Sequence, residues 1–285
     1  GTGGFLVAAM HHMLNQTESN DQITKDNVRK NQIYGIEIQN YMFTIATTNM
    51  ILRGDGKSNL ENTDFLRQNP AELQLKGCNV GMLNPPYSQG SSKNPDLYEL
   101  SFTEHLLNST VEGGRIAVIV PQSSMTGKTK TEKEIKRSIL KKHTLEGVIT
   151  LNKETFYNVG VTPCIAIFTT GVPHKINKIS KFINFEDDGY KISKHVGLVE
   201  TIQARDKKQY LLDVWFDRIE AENNFCVKTT VEEDDEWLHS FYYFNEEIPL
   251  QDAFEKTMAD YLTFEFDMVL HGREYLFNSD GDTNG

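Results

Sequence analysis

Positive charge is in deficit, cysteine is scarce, and no long apolar run occurs in this 285-residue chain. Each lack removes a class of explanation. With 29 Lys+Arg against 40 Asp+Glu, a net charge of −11, the chain is not suited to grip a phosphate backbone by its own surface. The cysteines Cys78, Cys164 and Cys226 stand without pairwise spacing, which suits a reducing cytoplasm and argues against a metal knuckle. No apolar stretch approaches the roughly 20 residues that span a bilayer, and no signal-peptide pattern is visible, so no membrane is expected. There is also no initiating methionine before Gly1-Thr2-Gly3-Gly4, and a fragment of a longer protein is expected.

What is there points to a folded α/β chain. At 38% hydrophobic and 24% charged residues it can bury a core, and its length fits one domain of ordinary size plus an extension. The charge is uneven. Residues 1–170 hold 17 basic and 16 acidic residues, whereas residues 171–285 hold 12 and 24. The acidity sits in the tail, so for a nucleic-acid substrate the sequence-reading surface is expected on a partner.

Prolines are few, eight in all, and two stand side by side in Leu83-Asn84-Pro85-Pro86-Tyr87-Ser88. The apolar run Asn79–Leu83 before them reads as a buried strand. Two prolines in succession forbid continuation of strand or helix and leave a stiff, extended backbone past the strand's carboxyl end. In open α/β sheets ligands bind there. Asn84 supplies an amide acceptor, the Pro85 carbonyl a second, and Tyr87 a flat aromatic face. Two acceptors beside a π-surface suit a planar group with an exocyclic amine, such as the N6 of adenine.

The remaining elements follow in order. Gly1–Gly4 opens a helix through Phe5–Leu14, a turn at which backbone can approach a ligand and offer free N–H groups. Residues 15–31 are polar and read as a loop with a helical turn. Gln32–Glu37 reads as a strand ending in an acid, where nucleotide-binding folds place a ribose acceptor; taken singly, Glu37 equally suits a solvated strand end. A helix over Gln39–Leu52, stopped by Arg53-Gly54-Asp55-Gly56, precedes a short strand near 58–62 and Asp64-Phe65. That pair fits an adenine contact, and fits a helix N-cap with a core Phe as well. Beyond the loop Ser88–Pro95 come a helix over Leu97–Asn108, a strand over Arg115–Val120 and a basic helix over Lys133–Lys142, which fits a solvated face best and a place near phosphates second. The strands Glu146–Leu151 and Pro163–Phe168 suit antiparallel pairing. After Gly171 the composition changes: a strand over Lys181–Asp188, a turn at Asp187–Tyr190, a helix over 205–224, a solvated acidic run Glu232–Glu236 and an amphipathic helix over Leu250–Leu270 with Phe254, Met258 and Leu262 in register. Asn278–Gly285 reads as a disordered tail. The expected fold is α/β with a doubly wound, mostly parallel sheet and an antiparallel terminal strand, plus a mixed or helical C-terminal extension. The expected division is 1–170 and 171–285.

Together Gly1–Ala9, Tyr34–Glu37, Asn84–Ser88, Gly113–Pro121 and Phe156–Cys164 resemble, in family order, the modification (methylase) subunit of type I restriction-modification systems, part of the N6-adenine DNA methyltransferase family. The resemblance covers residues 1 to about 200. It implies the S-adenosylmethionine-dependent methyltransferase fold, S-adenosyl-L-methionine as methyl donor and a prokaryotic cytoplasm. It also implies double-stranded DNA as substrate, reached through a sequence-specificity subunit, with room for a restriction subunit. Thr2, Gly3, Gly4 and Phe5 match the cofactor loop, Glu37 the ribose acid and Asp64-Phe65 the adenine contact. Asn84, Pro85, Pro86 and Tyr87 match the catalytic tetrapeptide. No metal is implied. The family's strand before the Gly-rich loop is not in the sequence, so the sheet is expected to want a central strand and cofactor binding to suffer. Two alternatives stay open: a protein-glutamine or RNA amino methyltransferase, which pose the same nitrogen problem, and a non-catalytic assembly fragment. Asn rather than Ser before Pro-Pro leans to adenine N6 over cytosine N4.

Overall fold

The structure is a computed structural model that describes residues 1–19, 21–54, 59–156, 160–193, 196–245 and 251–271. It comprises two units, Gly1–Tyr243 and Phe244–Gly285.

The first unit begins with α1 (Gly4–Asn15) and α2 (Gln22–Asn31), the latter started by Asp21, whose carboxylate accepts from the Thr24 N–H at 2.9 Å. Strand β1 (Tyr34–Ile36), helix α3 (Asn40–Leu52) and strand β2 (Asn59–Glu61) follow, with β1 and β2 paired in parallel. These elements enclose a small core of Met10, Val28, Ile33 and Met50. The polar stretch 15–31 therefore holds a real helix. Only its Val28 is buried, which is why its periodicity is too weak to read.

Next come α4 (Pro70–Gln74), capped by Asn69 with Pro70 in its first turn, β3 (Val80–Leu83), α5 (Glu99–Ser109) and β4 (Arg115–Pro121). Then follow α6 (Gln122–Thr126) and α7 (Lys130–Lys142), which starts with a capping box between Thr129 and Glu132. Strands β5 (Thr144–Leu151), β6 (Pro163–Thr169) and β7 (Ser180–Phe185) come after it. A hairpin of β8 (Tyr190–Ser193) and β9 (Gly197–Glu200) leads to α8 (Ala204–Trp215), β10 (Cys226–Thr229) and α9 (His239–Tyr242). The helix expected over 205–224 ends at Trp215, because Asp217 turns the chain with a φ of 55°.

The main sheet has the order β10-β7-β5-β6-β4-β3. β3, β4, β5 and β7 run one way; β6 pairs antiparallel with β5, as the sequence suggested, but lies inside the sheet between β4 and β5 rather than at its edge, and β10 lies antiparallel on β7. The sheet thus continues past residue 170: the segment after Gly171 contributes two of its strands. Alternate residues of β4 and β6 face opposite sides. Val118, Val120, Ala166 and Phe168 pack with Leu100 and Leu107 of α5, Ile139 of α7 and Trp237. Ile165 and Ile167 pack with Ile149, Ile183 and Val214 of α8. Helices on both faces make the sheet doubly wound. At its far end β3 pairs only with β4 among the described residues, and Val80 is 61% exposed there.

The second unit contains α10 (Gln251–Leu270), on which Phe254, Met258 and Leu262 are exposed. Among the described residues no helix is long and apolar enough to cross a membrane. The expectations for Asp55-Gly56 and for the tail Asn278–Gly285 fall outside the described residues.

Candidate active site

The sequence-expected residues gather into three groups. In the first, the Gly-rich loop lies on α3. Gly3 has a φ of 77°, and a Cβ there would stand 3.2 Å from the Ala46 Cβ, so only glycine gives this approach without strain. The Thr2 carbonyl accepts from the Asn49 side chain at 3.0 Å. Gly4 starts α1, and Phe5 is 37% exposed in its first turn. Glu37, just past β1, accepts the Gln39 N–H at 2.7 Å through one oxygen, while the other lies against Gly1 of the loop. Loop and acid are therefore together.

The second group is Asp64 and Phe65. The Asp64 carboxylate accepts from the Leu66 N–H at 3.1 Å and pairs with Arg67 at 3.3 Å, so it caps the 3₁₀ turn Phe65–Arg67. Phe65 stands edge-on to His105 of α5, ring centroids 4.6 Å apart. The Asn62 side chain, donating to the Glu37 carbonyl at 2.8 Å, ties this group to the first.

The third group is the Asn-Pro-Pro-Tyr turn at the carboxyl end of β3. Pro85 is buried, whereas Asn84 and Pro86 are exposed. Neither the Asn84 side chain nor the Pro85 carbonyl meets a hydrogen-bond partner among the described residues. Asn84 and Pro85 line a cavity of about 260 Å³ together with Tyr87 and Phe156. The Tyr87 hydroxyl donates to the Ile119 carbonyl at 3.4 Å. Its pKa is pushed up by burial first, and then by Cys164 and Glu99. The Tyr87 and Phe156 rings stand 6.1 Å apart at 63°, an edge arrangement that gives the cavity two aromatic walls. Phe156 heads the family-like stretch Phe156–Cys164, but its place in the sequence assigns it no site role. It lies 69 positions from Tyr87, and only the antiparallel return of β6 beside β4 brings its loop back to β3's end. α5 ties the third group to the second: its Glu99 accepts from Ser88, and its His105 holds Phe65.

Of the other histidines, His143 uses both ring nitrogens structurally: one accepts from the Gly171 N–H at 3.0 Å and the other lies 3.3 Å from the Asn108 oxygen. Burial pushes its pKa down to about 4.

Comparison with known proteins bears on this geometry. The N-6 DNA Methylase family model matches residues 1–237. The chain belongs to the N-6 DNA methylase family. Among curated members it is 51% identical over 278 residues, 97% of the chain, to the Type II restriction enzyme and methyltransferase RM.BcgI of Heyndrickxia coagulans. It is 24% identical over 251 residues, 82% of the chain, to the Type I restriction enzyme HindI methylase subunit of Haemophilus influenzae. The chain spans 43% and 54% of these relatives' own lengths. In three dimensions it resembles a chain of a type I restriction-modification system with a TM-score of 0.66 at 17% identity, covering 99% of this chain and 61% of that one. It also resembles the type I restriction enzyme EcoKI M protein with a TM-score of 0.59 at 20% identity, covering 74% and 47%. At these identities the structures establish the methylase fold alone. The expected kinship with type I modification subunits is borne out.

Proposed function

We propose that this chain is the catalytic part of a site-specific DNA adenine N6-methyltransferase, the modification component of a restriction-modification system, acting on a base turned out of the duplex. The observation that carries the reading is that Asn84 and Pro85, whose side-chain amide and carbonyl have no hydrogen-bond partner among the described residues, line one cavity with two aromatic residues. The adenine amine is a poor nucleophile because its lone pair is delocalised into the ring. Accepting its two N–H bonds at Asn84 and Pro85 favours a more tetrahedral nitrogen with an available lone pair. Tyr87 suits the face of a flipped base, with Phe156 edge-on to it as a second wall, and this stacking replaces what the duplex supplied. The chain's work is then orientation and electrostatics.

The residues fit S-adenosyl-L-methionine as donor: Gly3 lets the loop lie on α3 where a Cβ would crowd it, and the Glu37 carboxylate lies beside Gly1 of that loop. Thr2, Gly3, Gly4 and Phe5 would hold it at the α1 end, Glu37 would accept from its ribose, and Phe65 would pack on its adenine. Asp64, whose oxygens cap the 3₁₀ turn and pair with Arg67, would reach the same adenine only by giving up one of them. When bound, the group supplies an electrophilic sulfonium methyl. The substrate reading is double-stranded DNA, with the sequence read by a specificity subunit, since the chain itself carries −11; a restriction subunit would complete such an assembly.

The test uses the full-length parent with its neighbouring subunits and plasmid DNA digested to nucleosides after reaction. N6-methyladenine measured by mass spectrometry is expected from the wild type and reduced at least ~100-fold in Asn84→Ala. Methylated cytosine, or no methylated base from an assembly that binds the donor, would overturn the reading.

A further inference from the structure

Ser88, the residue that leaves the Asn-Pro-Pro-Tyr turn, has a φ of 58°, left-handed backbone that a residue with a Cβ adopts only when its surroundings impose it. Asp217 is the other non-glycine in that region among the described residues. What imposes it on Ser88 is visible. The Ser88 N–H donates to Glu99 Oε1 at 2.7 Å, and Glu99 is only 6% exposed, in the first turn of α5. A carboxylate is favoured there by the unpaired N–H groups of a helix start. Two residues on, Gly90 lies flat on Tyr98: a Cβ at Gly90 would come within 2.5 Å of the Tyr98 ring. The chain that follows the motif is thus seated on the start of α5, with Glu99 holding its first residue.

The consequence falls on Tyr87. Pro85 and Pro86 stiffen the backbone before it, and nothing covalent stiffens the backbone after it. The long 3.4 Å contact from its hydroxyl to Ile119 is a weak restraint on the ring. The direction in which Ser88 leaves sets how Tyr87 meets Phe156. We infer that Glu99 is a positioning residue: by accepting the Ser88 N–H it fixes the left-handed turn that aims the Tyr87 ring into the base cavity. This rests on the methyltransferase reading given above. Glu99 works as a hydrogen-bond acceptor, with its charge serving only its place at the helix start.

The experiment has two arms on the full-length parent. In the first, without DNA, the Ser88 amide proton is followed by NMR. It is expected far downfield and slow to exchange in wild type, and shifted upfield and exchanging at least tenfold faster in Glu99→Ala. A Ser88 amide that is unprotected in wild type overturns the inference whatever the activity. In the second arm, methylation of plasmid DNA with radiolabelled S-adenosylmethionine is expected to lose tenfold or more in kcat in Glu99→Ala with KM for the donor unchanged. Glu99→Gln, whose amide oxygen still accepts, keeps kcat within threefold. Ser88→Gly introduced into Glu99→Ala restores most of the loss, because glycine takes a positive φ unaided. A folded double variant that stays as slow as Glu99→Ala, or a Glu99→Gln as slow as Glu99→Ala, overturns it. A wild type that transfers no methyl group refutes the function reading and leaves the NMR arm to decide the latch.

Discussion

Gly3 carries a demand that no other residue type meets. Its φ of 77° is left-handed, and the Ala46 Cα and Cβ stand 3.3 and 3.2 Å from where a side chain would begin. Gly3→Ala therefore adds backbone strain and pushes the loop off α3 at once. The expected cost is about 1–2 kcal/mol of stability. Affinity for S-adenosylmethionine is expected to fall at least ~10-fold, about 1.4 kcal/mol, since the loop backbone can no longer lie where it does. Calorimetric titration beside a thermal melt separates the two; unchanged donor affinity in a folded Gly3→Ala would remove this loop from the cofactor site. A single glycine is easy to see in a sequence, but its contact with Ala46 is not. The same holds for Glu99 and Phe156, whose meaning depends on residues 11 and 69 positions away.

At the scale of elements, the basic helix and the acidic run read from the sequence as two solvated features prove to be one. Arg137 of α7 donates to both oxygens of Asp234, at 2.6 and 2.8 Å. Lys136 is 1% exposed; its ammonium donates to the carbonyls of Met125 and Asp235 and stands 4.6 Å over the Trp237 ring. Burial pushes the Lys136 pKa down to about 8, against the upward pull of Glu236, Asp235 and Asp234 and with the help of Lys133. The unfolded chain releases this proton near pH 10.4. Between about 8 and 10.4 the unfolded state therefore binds more protons, and this group's contribution to stability rises with pH in that window. Urea unfolding of wild type and Lys136→Met is expected to diverge in favour of wild type between pH 8 and 10; parallel curves would show that the ammonium is not desolvated as its burial implies. Elements with long apolar runs, β4, β5, β6 and α3, were legible because periodicity alone defines them. α2, α4, β9 and β10 were not. Each is short or polar, and each is held by caps or by a neighbouring strand, information that a local window does not contain.

At the scale of the whole first unit, the cores are not one. The largest cluster spans α5, α7 and one face of the main sheet; a second lies under α8; the third is Met10 of α1, Val28 of α2, Met50 of α3 and Ile33 just before β1. β1 and β2 form their own two-stranded sheet, with three residues in each strand and no ladder to β3 among the described residues. Such a pair is marginal without further strands, and the four buried residues of its core compare with 17 in the largest cluster. Opening of this N-terminal layer should therefore cost a fraction of the global unfolding free energy, while β4, β5 and β6 open only with the whole sheet. In hydrogen exchange followed by mass spectrometry, peptides from 22–54 are expected to exchange at least ~100-fold faster than those from 115–121, 144–151 and 163–169. Adding S-adenosylmethionine should slow the N-terminal peptides selectively, because Thr2–Phe5 and Glu37 all lie in that layer, and a ligand stabilises what it binds by mass action. Uniform protection across both sets would mean that the two sheets unfold as one body. A donor that protects only residues near Asn84 would place its site outside the Gly-rich loop.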